Sequence, residues 1–318
     1  MTKRTSIILA MSIMAASTAG WASGVAEEHG ASDGGAICTG FGPQTPRDID
    51  SLSGANRRVV PKAPKAAEMN LCNIHFHKNA EHKSKAYGIY AGDGDGHGND
   101  SGYMCSMSKT LGPAELKPTA QPICKGEHGE LKPGDTVEVH WVYTSCDIKG
   151  RDIKPNAALG ACLTPACANP TLRVEAQVFT LVNDAHAQDF LEYDYEGNAV
   201  NGFLQPNALP KEGGTPVEFI GSTTGPKYND HDCSPLAVTW SVRPQCAKLS
   251  IQSLGEWCKA NAYSEDHAHG VRKLVTHRKL LSTIPAPVES KPAQKPVVAK
   301  PAEKAAPAAE SHKDIFSK

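Results

Sequence analysis

Five runs of the chain crowd β-branched and aromatic residues between Gly, Pro, Asn and Asp. They are NLCNIHFH (70–77), DTVEVHWVYT (135–144), LRVEAQVFTLV (172–182), TPVEFIGS (215–222) and LAVTWSVR (236–243). Segments of this length and content predict strands, because such side chains pack well on a pleated, half-buried surface. Helical periodicity is sparse, and Ser253 to Ala262 is one short candidate. No internal repeat is present. Residues 37–282 therefore read as one β-rich domain.

The two ends follow other patterns. Lys3 and Arg4 precede an apolar run from Ser6 to Ala16, and small residues follow up to Ala22 and Ala26. That order predicts a signal peptide over residues 1–22, with cleavage between 22 and 26. The apolar run is short of the roughly 20 residues that cross a bilayer. No later segment is longer and apolar, so no membrane span is expected in the mature protein. From Pro285 the chain turns to Pro, Ala and Lys (PAPVESKPAQKPVVAKPAEKAAPAAES). Such a stretch buries too little apolar surface to offset its ordering entropy, so residues 285–318 are expected to form a disordered tail.

Composition adds two constraints. The 33 Lys and Arg stand against 34 Asp and Glu, and no basic stripe is present, which argues against a nucleic-acid partner. The 10 cysteines fit an exported chain, periplasmic or secreted, in which disulfides form. Their even number permits five bridges without giving the connectivity. Cys162 and Cys167 lie close together, but no CxxC pair occurs, so structural disulfides are favoured over a cysteine-bound metal.

The chemistry points to histidine. In Asn73-Ile74-His75-Phe76-His77, strand alternation sets His75 and His77 on one face with Asn73, and Ile74 and Phe76 on the other. Glu138-Val139-His140-Trp141 repeats the arrangement, with Glu138 and His140 sharing a face. If the two strands are neighbours, His140 joins His75 and His77. Three imidazoles leave one tetrahedral position open, the arrangement of a catalytic zinc. A ligating histidine donates its other ring proton to an acceptor, and Asn73 and Glu138 stand where such acceptors are needed. Three imidazoles also suit Co2+ or another divalent ion.

Three segments carry a family resemblance. HFHKNAEH resembles the HFH…EH segment of α-class carbonic anhydrases, EVHWVYT resembles their third-ligand strand, and GSTTGP…AVTWSVRP resembles their GSLTTPP…VTW stretch. All three occur in the family's order. The wider context, GPQTPRDID, CNIHFHKNAEHKSKAY and DHAHGVRKLVTHR, looks most like the δ class. The resemblance runs from about Cys38 to Leu281. Two departures from the α pattern, a short link between HFH and EH and the insertion KYNDHDCSPLA, also favour the δ class.

This resemblance implies a mainly β fold: a single domain around a large, mostly antiparallel twisted sheet with few short helices, resembling the α-carbonic anhydrase architecture. It implies zinc on His75, His77 and His140, supported by Asn73 and Glu138. It implies reversible hydration of CO2 to bicarbonate and a proton by metal-hydroxide attack. Glu81 matches the glutamate that accepts a hydrogen bond from a threonine, which is Thr223 or Thr224. Trp240, in the matching VTW, is a candidate wall of the CO2 pocket, with Val139 and Val178.

Other histidines are candidates for carrying the proton away: His82, His97, His128 and His231. His82 ranks lower, because a continuing strand would point it to the opposite face. His97 sits in GDGDGHGND (92–100), which superficially resembles a calcium loop but lacks the twelfth-position Glu. His267 and His269 form a second HxH pair, for which packing or surface roles are expected. The alternative function is a non-catalytic exported metal-binding or carbonic-anhydrase-like module. No HExxH occurs, which argues against a zinc protease.

Overall fold

A computed structural model describes residues 36–51, 54–149, 158–164, 167, 169–225, 228–271 and 275–283. The expected signal peptide and tail lie outside the described residues.

The strands, in chain order, are β1 (Asn70–Lys78), β2 (Ile89–Asp93), β3 (Ser101–Met104), β4 (Ile123–Gly126), β5 (Gly129–Leu131), β6 (Thr136–Thr144), β7 (Leu172–Val182), β8 (Ala199–Val200), β9 (Phe203–Leu204), β10 (Val217–Ser222), β11 (Ala237–Val242) and β12 (Ala247–Ser250). One α-helix, α1 (Ile251–Lys259), follows β12 directly. It starts two residues before the sequence candidate and ends three before it. Its buried residues Ile251, Leu254, Trp257 and Cys258 fall at helical spacing, which explains where it lies against the sheet.

The five strand runs of the sequence form the main sheet, in the order β1-β6-β7-β11-β10, and β12 pairs with β7 as a sixth strand. The pairs β1–β6, β6–β7 and β10–β11 are antiparallel, whereas β11 and β12 both run parallel to β7. The sheet is thus mixed, and antiparallel in three of its five pairings. The 11 residues of β7 are long enough to take β11 along Leu172–Ala176 and β12 along Phe179–Val182.

Alternation sorts the two faces. Ile74, Phe76, Val139 and Trp141 are completely buried on one side, where Phe76 meets Trp257 and the Trp141 indole donates to the Tyr193 carbonyl at 2.9 Å. Burying large aromatic and branched side chains is the main favourable term in this core. The opposite side holds the histidines.

Five disulfides join Cys38–Cys233, Cys72–Cys162, Cys105–Cys246, Cys124–Cys258 and Cys146–Cys167. No cysteine is left free. The neighbours Cys162 and Cys167 bond to different partners. A full set of bridges points to an oxidising, exported environment. Among the described residues, no helix is long and apolar enough to cross a membrane.

Chemical denaturation will separate core from surface. Phe76→Ala is expected to cost about 3–5 kcal/mol. Val59→Ala, at a side chain 95% exposed, is expected to change stability by less than about 0.5 kcal/mol.

Candidate metal centre

The antiparallel register of β1 and β6 places His75 opposite His140, and His77 opposite Glu138. Directly paired residues share a face, so all four side chains project together. The three imidazoles sit with ring centroids 5.0–5.2 Å apart. One nitrogen from each can be chosen so that the three lie within 4.8 Å of one another.

The outward nitrogens of His75 and His77 are hydrogen-bonded. His75 Nδ1 lies 2.6 Å from the Asn73 side-chain oxygen, and His77 Nδ1 lies 3.1 Å from the Gly270 carbonyl. His140 Nε2 faces Glu138 Oε1 at 3.6 Å, an ionic approach longer than a hydrogen bond. These contacts leave Nε2 of His75 and Nε2 of His77 free to face the centre, where a nitrogen of His140 joins them.

Electrostatics favour a cation there. Glu138 is completely buried and Glu81 is 1% exposed, so two carboxylates stand in low dielectric beside the triad. Burial alone would raise Glu138. The nearby His82, which is also hydrogen-bonded to it, and His140 outweigh it and hold this carboxyl well below the usual range. His140 shows the complementary effect: burial lowers it, but Glu138 raises it overall. Burial, with the neighbouring imidazoles, holds His75 well below the ordinary histidine value. Burial also pushes His77 down to about 4, against the pull of Glu81. His75 and His77 are therefore neutral donors at neutral pH, as metal binding requires. A divalent ion on the three nitrogens would balance the two buried carboxylates, so the residues present fit such an ion.

Around the triad the other sequence candidates fall as follows. Glu138 also accepts from the Glu81 backbone N–H at 2.6 Å and pairs with His82 Nδ1 at 2.7 Å. The Thr224 hydroxyl lies 3.3 and 3.5 Å from the two Glu81 carboxylate oxygens. The Thr223 hydroxyl instead meets Ser234 Oγ at 2.6 Å. Trp240 packs edge-on against His140 at 5.3 Å and His82 at 4.9 Å. Val178 pairs with Glu138 on this face, whereas Val139 pairs with Phe76 on the other.

His82 is not on the far face. β1 ends at Lys78, and Asn79 takes a left-handed conformation (φ 67°), which breaks the alternation and turns Glu81 and His82 inward. His82 is fully buried. His97, His128 and His231 are exposed.

Of the second HxH pair, His269 packs against the centre, whereas His267 is exposed. His269 touches His75 and His77, with centroids 5.5 and 5.9 Å apart. His267 stacks behind it at 5.9 Å and pairs with Asp266. The proximity of His269 had no short-range signal, because it depends on a segment nearly 200 residues along the chain.

A family model described as "Delta carbonic anhydrase" matches residues 66–253, more than half of the chain. Among solved structures, the chain is similar to an α-carbonic anhydrase from Thermovibrio ammonificans in complex with the inhibitor sulfanilamide. The identity is 14%, the match covers 74% of this chain and 87% of that one, and the TM-score is 0.24. It is also similar to a halotolerant carbonic anhydrase from Dunaliella salina, at 16% identity, 44% and 52% coverage and a TM-score of 0.21. No curated protein matches the chain.

The pH dependence of the metal-free protein tests this electrostatic picture. The folded-state pKa of His77 lies below its ordinary value, so its share of stability is complete above about 6.5 and is lost as pH falls to about 4. His140 works in the opposite sense, being lost as pH rises through its raised value. The difference between wild type and His77→Gln isolates the first effect. Measured by denaturation in chelator, it is expected to shift in favour of the variant between pH 6.5 and 4.

Proposed function

This chain belongs to the delta carbonic anhydrase family, and from that premise we propose that it hydrates CO2 reversibly with zinc held by His75, His77 and His140. The enzyme class and the general reaction follow from the family. The observation that supports this particular centre is the coincidence of three imidazoles with the partly buried Glu81–Thr224 pair.

When bound, zinc supplies a nucleophile at neutral pH by lowering the pKa of coordinated water, and Co2+ could substitute. The protein's own groups do the rest. Asn73 and the Gly270 carbonyl hold the outward edges of His75 and His77, and the Glu138 carboxylate faces His140. Glu138 is itself fixed by the Glu81 N–H and by His82.

Glu81 is acceptor-only when ionised, so the Thr224 hydroxyl must donate to it. The hydroxyl proton is then committed, and its lone pairs can only accept from a group on the site side. With a metal on the three histidines, that one-way polarity would let Thr224 orient a coordinated water by positioning alone. Thr223, bonded to Ser234, holds the loop instead. Trp240 and Val178 supply an apolar wall suited to an uncharged, linear substrate. Together with the N-terminal pattern, the disulfides support a periplasmic or secreted location.

Stopped-flow CO2 hydration with metal analysis tests this reading. Wild type is expected to carry about one zinc per chain and to be active, and His140→Ala to lose both. Thr224→Ala is expected to keep its metal and lose roughly 100-fold in kcat. Thr223→Ala is expected to lose only a few-fold. Full metal occupancy with no hydration would favour the non-catalytic metal-binding module.

A further inference from the structure

The segment after α1 returns to the free edge of β1. The His269 backbone N–H donates to the Phe76 carbonyl at 2.9 Å, and the Lys78 N–H donates to the His269 carbonyl at 3.1 Å. This backbone bridge sets the His269 ring against His75 and His77. It also carries the Gly270 carbonyl to His77 Nδ1. Of these residues, His269 and Gly270 lie beyond Ser253, where the family match ends.

The ring of His269 is itself pinned. Its Nε2 lies 2.6 Å from Glu265 Oε2. Glu265 is 3% exposed, and its other carboxylate oxygen is buried without a hydrogen-bond partner. A carboxylate buried with so few partners is costly unless the one contact it makes is kept. Its backbone is held in turn: Asn261 accepts from the Glu265 N–H and donates to the Glu265 carbonyl, at 3.1 and 2.8 Å. The side chain thus has a fixed origin and one partner.

The ring that most needs such support is His75. His77 and His140 are buried, but His75 is only partly covered, with Asn73 on its outward edge. The His269 ring packs edge-on against His75, with centroids 5.5 Å apart. It stays outside the group of nitrogens that converge within 4.8 Å. Its place is beside the ligands rather than among them.

We propose that Glu265 and His269 are positioning residues that hold the His75 and His77 rings in their metal-binding orientation and so set how long the metal is retained. This rests on the reading of His75, His77 and His140 as the metal ligands. A ring that needs no reorganisation binds the ion with less entropic cost and releases it more slowly.

The test is the rate at which the zinc-loaded full chain yields its metal to a chromogenic chelator. Wild type, Glu265→Gln, His269→Ala and His267→Ala are compared, with melting temperatures of the metal-free forms. Glu265→Gln keeps the shape of the side chain but removes its charge, so the chain can fold if His269→Ala does not. Release from Glu265→Gln and His269→Ala is expected to be roughly 10–100-fold faster, the range for losing a group that orients a ligand. His267→Ala should release at the wild-type rate. Lower melting temperatures with unchanged release rates would show a purely structural pair and overturn the inference. Wild type without bound metal would overturn the metal-centre reading itself, and this inference with it.

Discussion

The antiparallel register of β1 against β6 is the constraint on which the rest depends. A slip of one residue would carry Ile74 and Phe76 to the histidine face and turn His75 and His77 into the core. The apolar side forbids it. Ile74, Phe76, Val139 and Trp141 have no exposed surface, and exposing them or burying imidazoles in their place would cost more than the sheet could recover. The core thus fixes the geometry of a site it never touches. Glu138 then converts register into orientation, because one carboxylate opposite His77 gathers the Glu81 amide, His82 and the approach of His140.

The main sheet was legible because each of its five path strands carries dense β-branched and aromatic residues. β12 was not, since four residues of AKLS carry no period that can be distinguished from a loop. The parallel course of β11 and β12 along β7 was also invisible. Local pattern sets which face a strand buries, but not the direction in which a distant strand returns to it. The helix was shifted because Ile251 and Gln252 run straight on from β12 with no breaker between them.

At the site, what alternation governs could be read and what lies beyond a strand end could not. His75, His77, Asn73, Glu138 and His140 sit within regular strands, so their shared face follows from spacing. His82 sits past Asn79, where one left-handed residue resets the direction. Which of Thr223 and Thr224 meets Glu81 depends on how the chain leaves β10, and Ser234 takes the first hydroxyl. Glu265 and His269 reach the centre only through the tertiary fold. The cysteine pairing followed the same rule, because Cys162 finds Cys72 rather than its neighbour Cys167.

The first and last described segments are stitched to each other. The Gln44 N–H donates to the Leu280 carbonyl, Ser282 donates back to Gln44, and the Asn56 N–H donates to Leu281. The same N-terminal segment is also tied to the rest of the domain, through Thr45 to Ser222 and through Ile49 to Lys83. The main sheet is complete at Ser250 and does not include this seam, so the seam acts as a clasp: opening it would loosen both ends of the domain without parting the strands that carry the histidines.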